Sequence, residues 1–186
     1  PHREIAVDEE RPAAETEAQR EAGVGQFETM ILDNLKKAGV QNTVKNERLK
    51  FDRLDPYAGE WLHAEGEYTE KDGTTKRVAV CIGPEHGTVG PELVKEAAKE
   101  AVKGVGFDLL VICGFAFDPH VSEEAKRYGK LNILITRMNP DLAMGDELLK
   151  TTGAGNLFMV FGEPDVDIKK QKDGKRVMEI RGVDVY

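Results

Sequence analysis

The chain lacks any apolar run near the ~18 residues that a membrane-spanning helix requires, and its first residues hold no apolar core of a secretory signal. These absences lead us to expect a soluble, cytoplasmic protein with no membrane partner. Cysteine is scarce. Cys81 and Cys113 are the only two, both inside short apolar stretches, so a disulfide framework is excluded and core filling is the expected role. Positive charge is in deficit as well: 26 Lys and Arg against 34 Asp and Glu leave a net charge of -8, which opposes a surface that embraces nucleic acid on all sides. There is no internal repeat, and biased composition is confined to residues 1 to 22, with seven acids and three Arg. Residues 1–25 therefore read as an exposed linker or frayed helix and residues 26–186 as a single α/β domain, for which 40% hydrophobic residues suffice. A start at Pro1 and an end at Val185-Tyr186, inside what reads as a strand, suggest a piece of a longer protein.

What is present is organised around residues 77 to 137. Val78 to Ile82, Leu109 to Cys113 and Leu131 to Ile135 are short, apolar and rich in β-branched residues, the pattern of strands buried on both faces. Helix signals separate them. Gly90-Pro91 opens a run with Val94, Ala97, Ala98, Ala101 and Val105 as a small-residue stripe, and Asp118-Pro119 caps a predicted helix to Gly129. Strand, helix, strand, helix, strand predicts parallel pairing with both Gly-rich loops, Gly83 to Pro91 and Gly114 to His120, at one sheet edge. Upstream, Gln26 to Ala38 is an amphipathic helix ending at Gly39, and Asp72-Gly73 turns a hairpin between Trp61–Tyr68 and Thr75–Ile82. Downstream, Asn139-Pro140 caps a third helix carrying Leu142, Leu148 and Leu149, residues 156 to 161 and 176 to 183 read as strands, and Asp173-Gly174 turns a terminal hairpin.

The expected fold is α/β: a mixed sheet with helices on both faces, in which helix, hairpin, helix and strand form a restriction-endonuclease-like core, followed by a helix-strand unit and the terminal hairpin. The chain resembles Mrr-like restriction endonucleases over roughly residues 77 to 150. Such a fold holds a divalent cation with an acid at the hairpin and Glu or Gln one residue before a Lys on the next strand. The hairpin offers Glu65, Glu67 and Asp72, but Val80-Cys81-Ile82-Gly83 brings neither acid nor lysine. A rival reading is a free-standing metal-dependent hydrolase or nuclease at the two Gly-rich loops, with Glu85, His86, Asp118 and His120 as ligands, although their spacing is no recognised signature. Gly83 to Gly90 lacks the Walker lysine and the dinucleotide spacing. Asp55-Pro56-Tyr57 is a clipped form of the Asp-Pro-Pro-Tyr motif of amino-methyltransferases and is more simply a turn; Trp61 and Tyr68 read as core.

Longer phrases carry a further resemblance. Glu28-Thr-Met-Ile-Leu-Asp-Asn-Leu, Cys81-Ile-Gly-Pro-Glu-His-Gly-Thr-Val, Cys113-Gly-Phe-Ala-Phe-Asp, Met138-Asn-Pro-Asp-Leu-Ala-Met-Gly-Asp-Glu-Leu-Leu-Lys and Gly153-Ala-Gly-Asn-Leu-Phe-Met-Val-Phe-Gly-Glu-Pro-Asp are similar to the C-terminal region of adenine-specific DNA methyltransferases of the type III restriction-modification class. The resemblance covers nearly all of residues 20 to 186. It implies that the S-adenosylmethionine loop and the catalytic motif lie upstream, so this chain is expected to hold no cofactor and no catalytic residue. The implied role is to help engage DNA, or to dock a restriction subunit or the rest of the methyltransferase. Two segments, 36 to 53 and 168 to 181, each carry +4, and their Lys36, Lys37, Arg48, Lys169, Lys170, Lys172 and Lys175 are the expected contacts to backbone phosphates.

Overall fold

A computed structural model of the chain describes residues 17–42, 47–104, 106–144, 156–160, 165–170 and 176–182. Helix α1 (Glu17–Ala38) leads into β1 (Val40–Asn42) and β2 (Glu47–Leu49); then come β3 (Arg53–Pro56), β4 (Ala64–Thr69), β5 (Thr75–Ile82), α2 (Pro91–Lys103), β6 (Leu109–Gly114), α3 (Val121–Ala125), β7 (Asn132–Met138), a 3-10 turn (Pro140–Met144), β8 (Phe158–Val160), β9 (Asp165–Lys170) and β10 (Arg176–Gly182). The expected core order is present as α1, β4–β5, α2 and β6. Strands β5, β6 and β7 are parallel, with Val80 beside Val111 and Val111 beside Leu134. The β4–β5 hairpin turns where expected: Gly73 has φ 87°, and Asp72 Oδ1 accepts the Thr74 N–H at 2.9 Å.

The eight strands of the main sheet run in the order β2-β1-β8-β7-β6-β5-β4-β3, and β9 and β10 form a separate antiparallel pair. Strands β2 and β3 are thus opposite edges, yet only Lys50, Phe51 and Asp52 separate them in the chain. Four residue steps reach at most about 14 Å, whereas a flat sheet of eight strands is about 33 Å wide. The sheet must therefore curl until its two edges approach each other. Phe27, Ile31 and Leu35 of α1 pack on one face, against Val78, Val80, Ile82, Val111 and Cys113. Helix α2 covers the other: Val94, Ala97, Ala98 and Ala101 meet Ala79, Cys81, Leu110 and Ile112, the alternate residues of the same strands.

Several elements depart from the expected ones. Helix α1 begins at Glu17, within the segment read as linker or frayed helix. Strands β1 and β2 were not anticipated, since three-residue strands leave no period to read. The helix expected from Pro119 to Gly129 is shortened to five residues, because the chain leaves it through tight turns (Arg127 N–H to Glu124, Leu131 N–H to Tyr128) to bury Leu131. Asp118 does not cap it. His120 occupies the N-cap, and Asp118 Oδ1 accepts the His120 N–H at 2.8 Å in a local turn. Asn139 likewise folds on itself, its Oδ1 accepting the Asp141 N–H, and the described part of the helix expected there, Pro140–Met144, is a 3-10 turn that buries Leu142. Leu148, Leu149 and the Asp173-Gly174 turn lie outside the described residues. No described helix is long and apolar enough to cross a membrane.

Candidate functional site

The last turn of α1 carries Lys36 and Lys37, where cations complement the partial negative charge of a helix C-terminus. Gly39 then reverses the chain with φ 68°, and its N–H closes on Leu35 O at 2.8 Å. A side chain here would run into the Leu49 carbonyl and lie 3.4 Å from Arg48 Cγ, so glycine is what lets β2 come close to the helix end. The pairing Gln41 with Arg48 fixes the register, and Arg48 Nε donates to Gln41 Oε1 at 3.2 Å. Lys36, Lys37, Arg48 and Lys50 are all exposed. Residues from two parts of the sequence are thus gathered at one end of α1. Of the second expected basic segment, Lys169 and Lys170 fall on β9, while Lys172 and Lys175 lie outside the described residues.

Two of the hairpin carboxylates, Glu65 and Asp72, are engaged elsewhere. Glu65 Oε2 lies 3.6 Å from Arg77 Nη2, whose guanidinium also stacks 5.3 Å from the Phe107 ring centre. Arg53 pairs with Asp55, and the Thr74 N–H and hydroxyl hold Asp72 below the usual carboxylate range. Opposite them, Val78 to Ile82 of β5 are buried and apolar. Among the described residues no three His, Cys, Asp or Glu side chains converge where a metal ion could be held.

The two Gly-rich loops do meet at one sheet edge, as expected, but they are zipped to each other. Gly83 N–H donates to Cys113 O, Val89 N–H to Ala116 O and Asp118 N–H to Val89 O. Val89 fills the seam: a Cβ on Gly83 or Gly114 would stand 2.5 or 2.6 Å from its Cγ2. Gly83 and Gly114 are needed for close packing, and the Gly83, Val89 and Asp118 N–H groups are spent between the loops. Glu85 and His86 stand exposed at one tip; in the other loop Asp118 accepts from His120 Nδ1 at 2.9 Å. The structure does not assemble these four into a metal site. Cys81 and Cys113 sit on neighbouring strands, but Cys81 faces α2 and Cys113 faces α1, so they do not form a pair. Burial pushes the Cys81 thiol up to about 12 and raises Cys113 further.

A cleft of about 570 Å³ opens between α1 and residues 54–63, lined by Glu28, Asp33 and Lys36 on the helix and by Asp55, Tyr57 and His63 opposite. The Asp55-Pro56-Tyr57 motif therefore borders a cavity, though Asp55 is tied to Arg53 and Tyr57 packs edge-on to Phe107 at 6.4 Å. The far wall is held from α2. The Glu100 carboxylate accepts three consecutive backbone N–H groups, from Glu60 at 3.1 Å, Trp61 at 2.7 Å and Leu62 at 3.2 Å. Gly59 sits against it, where a Cβ would collide with Glu100 Oε1. Trp61 packs with the α2-side core and Tyr68 with the α1-side core, as expected for both. Sequence reading missed Glu28, His63 and Glu100, whose spacings follow no period; they meet through the bend at residues 57–63, which touches both α1 and α2.

No protein-family model matches the chain, and no curated protein matches it. Two solved structures are similar to parts of it. One is EndoMS in its apo form, at 9% identity and a TM-score of 0.38 over 57% of this chain and 44% of that one. The other is a repair endonuclease from Pyrococcus abyssi, at 12% identity and a TM-score of 0.32 over 66% of this chain and 47% of that one. The chain spans less than half the length of either of these proteins.

Proposed function

We propose that this chain is a catalytically silent domain of an adenine-specific DNA methyltransferase and that it engages DNA through backbone phosphates. The observation that carries the reading is the gathering of Lys36, Lys37, Arg48 and Lys50 on one exposed end of α1, by a glycine turn and a strand register rather than by sequence proximity. The family phrases supply the methyltransferase context, and S-adenosylmethionine belongs, in this reading, to the rest of the parent protein. The pairing of Glu65 with Arg77 and the apolar Val78–Ile82 run of β5 favour binding over cleavage. Phosphate contact is sequence-independent, so affinity for the isolated chain falls in the non-specific range of ~10⁻⁴ to 10⁻⁶ M.

Titration of a fluorescent duplex at two salt concentrations tests this. Four phosphate contacts predict a slope of about -3.6 in log K against log salt, hence a roughly hundredfold loss between about 50 and about 200 mM. Changing Lys36, Lys37 and Arg48 to Glu is expected to remove most of the binding, and the parallel variant with Lys169, Lys170, Lys172 and Lys175 changed to Glu apportions the remainder. Binding unaltered by both variants, or independent of salt, overturns the DNA role and leaves docking of a partner subunit.

A further inference from the structure

His63 stands where three elements meet. Its ring Nδ1 accepts the backbone N–H of Ile82, the last residue of β5, at 3.0 Å, and its Nε2 lies 3.3 Å from Glu28 Oε1 on α1. Its backbone belongs to the sheet, with its N–H donating to Val80 and its carbonyl accepting from Tyr57. Because Ile82 donates, Nδ1 must present a lone pair, and the proton of the neutral ring sits on Nε2 facing Glu28. We propose that His63 is a proton-operated latch between α1 and the end of β5: the neutral ring holds both, and the protonated ring keeps Glu28 and releases Ile82.

The conflict is local. A second proton has only Nδ1 to occupy, where it meets the Ile82 N–H donor to donor. In the same step the contact to Glu28 becomes charge-assisted, and Glu100 on α2 adds a second attraction for the cation. Desolvation outweighs both and holds the ring below its ordinary pKa, so the latch is closed near neutral pH. The other charged groups around the cleft are Asp33 and Lys36 on α1, Asp55 at the end of β3 and Glu60 in the loop. Ile82 runs straight into Gly83, so release of its N–H loosens the step from the cleft to the zipped loops.

Backbone amide exchange and amide shifts of the full chain, followed from about pH 7.5 to about pH 5, test the latch across the imidazole range. The Ile82 amide is expected to lose protection roughly three- to tenfold, the size of one net hydrogen bond, with the same midpoint as the His63 ring. The His63 amide, bonded only through backbone, keeps its protection. Glu28→Gln removes an attraction for the charged ring and moves the midpoint lower; His63→Phe abolishes the pH dependence at Ile82. Ile82 protection that ignores the ring titration overturns the proposal, as does a midpoint that rises in Glu28→Gln. Loss of protection at all strand amides together is acid unfolding and counts equally against it.

Discussion

Glu100 shows how one side chain can fix a wall of the cleft. It belongs to α2, on the face of the sheet away from α1, yet its carboxylate collects the N–H groups of Glu60, Trp61 and Leu62, which have no strand partner in that bend. Hydrogen bonds to a charged acceptor are the stronger kind, and leaving part-buried donors unpaired is costly. Glu100→Ala is therefore expected to lower stability by about 2 to 3 kcal/mol in urea unfolding. Glu100→Gln, which keeps one acceptor oxygen, should lose less. A Glu100→Gln variant as stable as the wild type would mean that bulk rather than charge seats the loop. No sequence pattern announces this residue: a glutamate on a helix face reads as solvated until the loop it serves is placed in space.

Elements differ in how plainly the sequence declares them. β6 and the Val78–Ile82 part of β5 are legible because a strand buried on both faces must be apolar throughout, β7 because of its run of Ile and Leu, and the β4–β5 turn because Asp72-Gly73 meets the backbone demand of the turn directly. Short pieces escaped: β1 and β2 are strands by virtue of their neighbours, and α3 is cut short by the need to bury Leu131. The Gly-rich loops were located correctly, but their glycines serve Val89 rather than a ligand. That distinction is measurable. Gly114→Ala forces a methyl onto Val89 and is expected to cost about 1 to 3 kcal/mol by overpacking. Adding Val89→Ala should make the double variant less destabilised than the sum of the singles by about 1 kcal/mol, as read from urea midpoints. Strict additivity would place the strain somewhere other than the loop seam.

Across the whole molecule, the half-buried His63 should leave a mark on stability against pH. Folding favours the neutral His63 ring, so the unfolded chain, with an ordinary imidazole pKa of about 6.5, binds the proton more tightly. Stability that is complete above that pH is lost as pH falls toward the lower folded-state value, and the loss levels off below it. Urea midpoints of wild type and His63→Phe should diverge across that window, with the wild type falling more steeply; parallel curves would contradict a depressed histidine. The curl of the sheet has a different consequence, in time rather than in energy. Gln41 pairs with Met159, so the strand that follows α1 waits for a partner from far along the chain. As the protein is synthesised, Phe27, Ile31 and Leu35 emerge early, and their seat stays incomplete until on the order of a hundred further residues have followed. Until β8 arrives, β1 is an open edge and the Leu157–Phe158 part of the α1 seat is missing, so a chain cut short before β8 is expected to aggregate more readily than the whole chain.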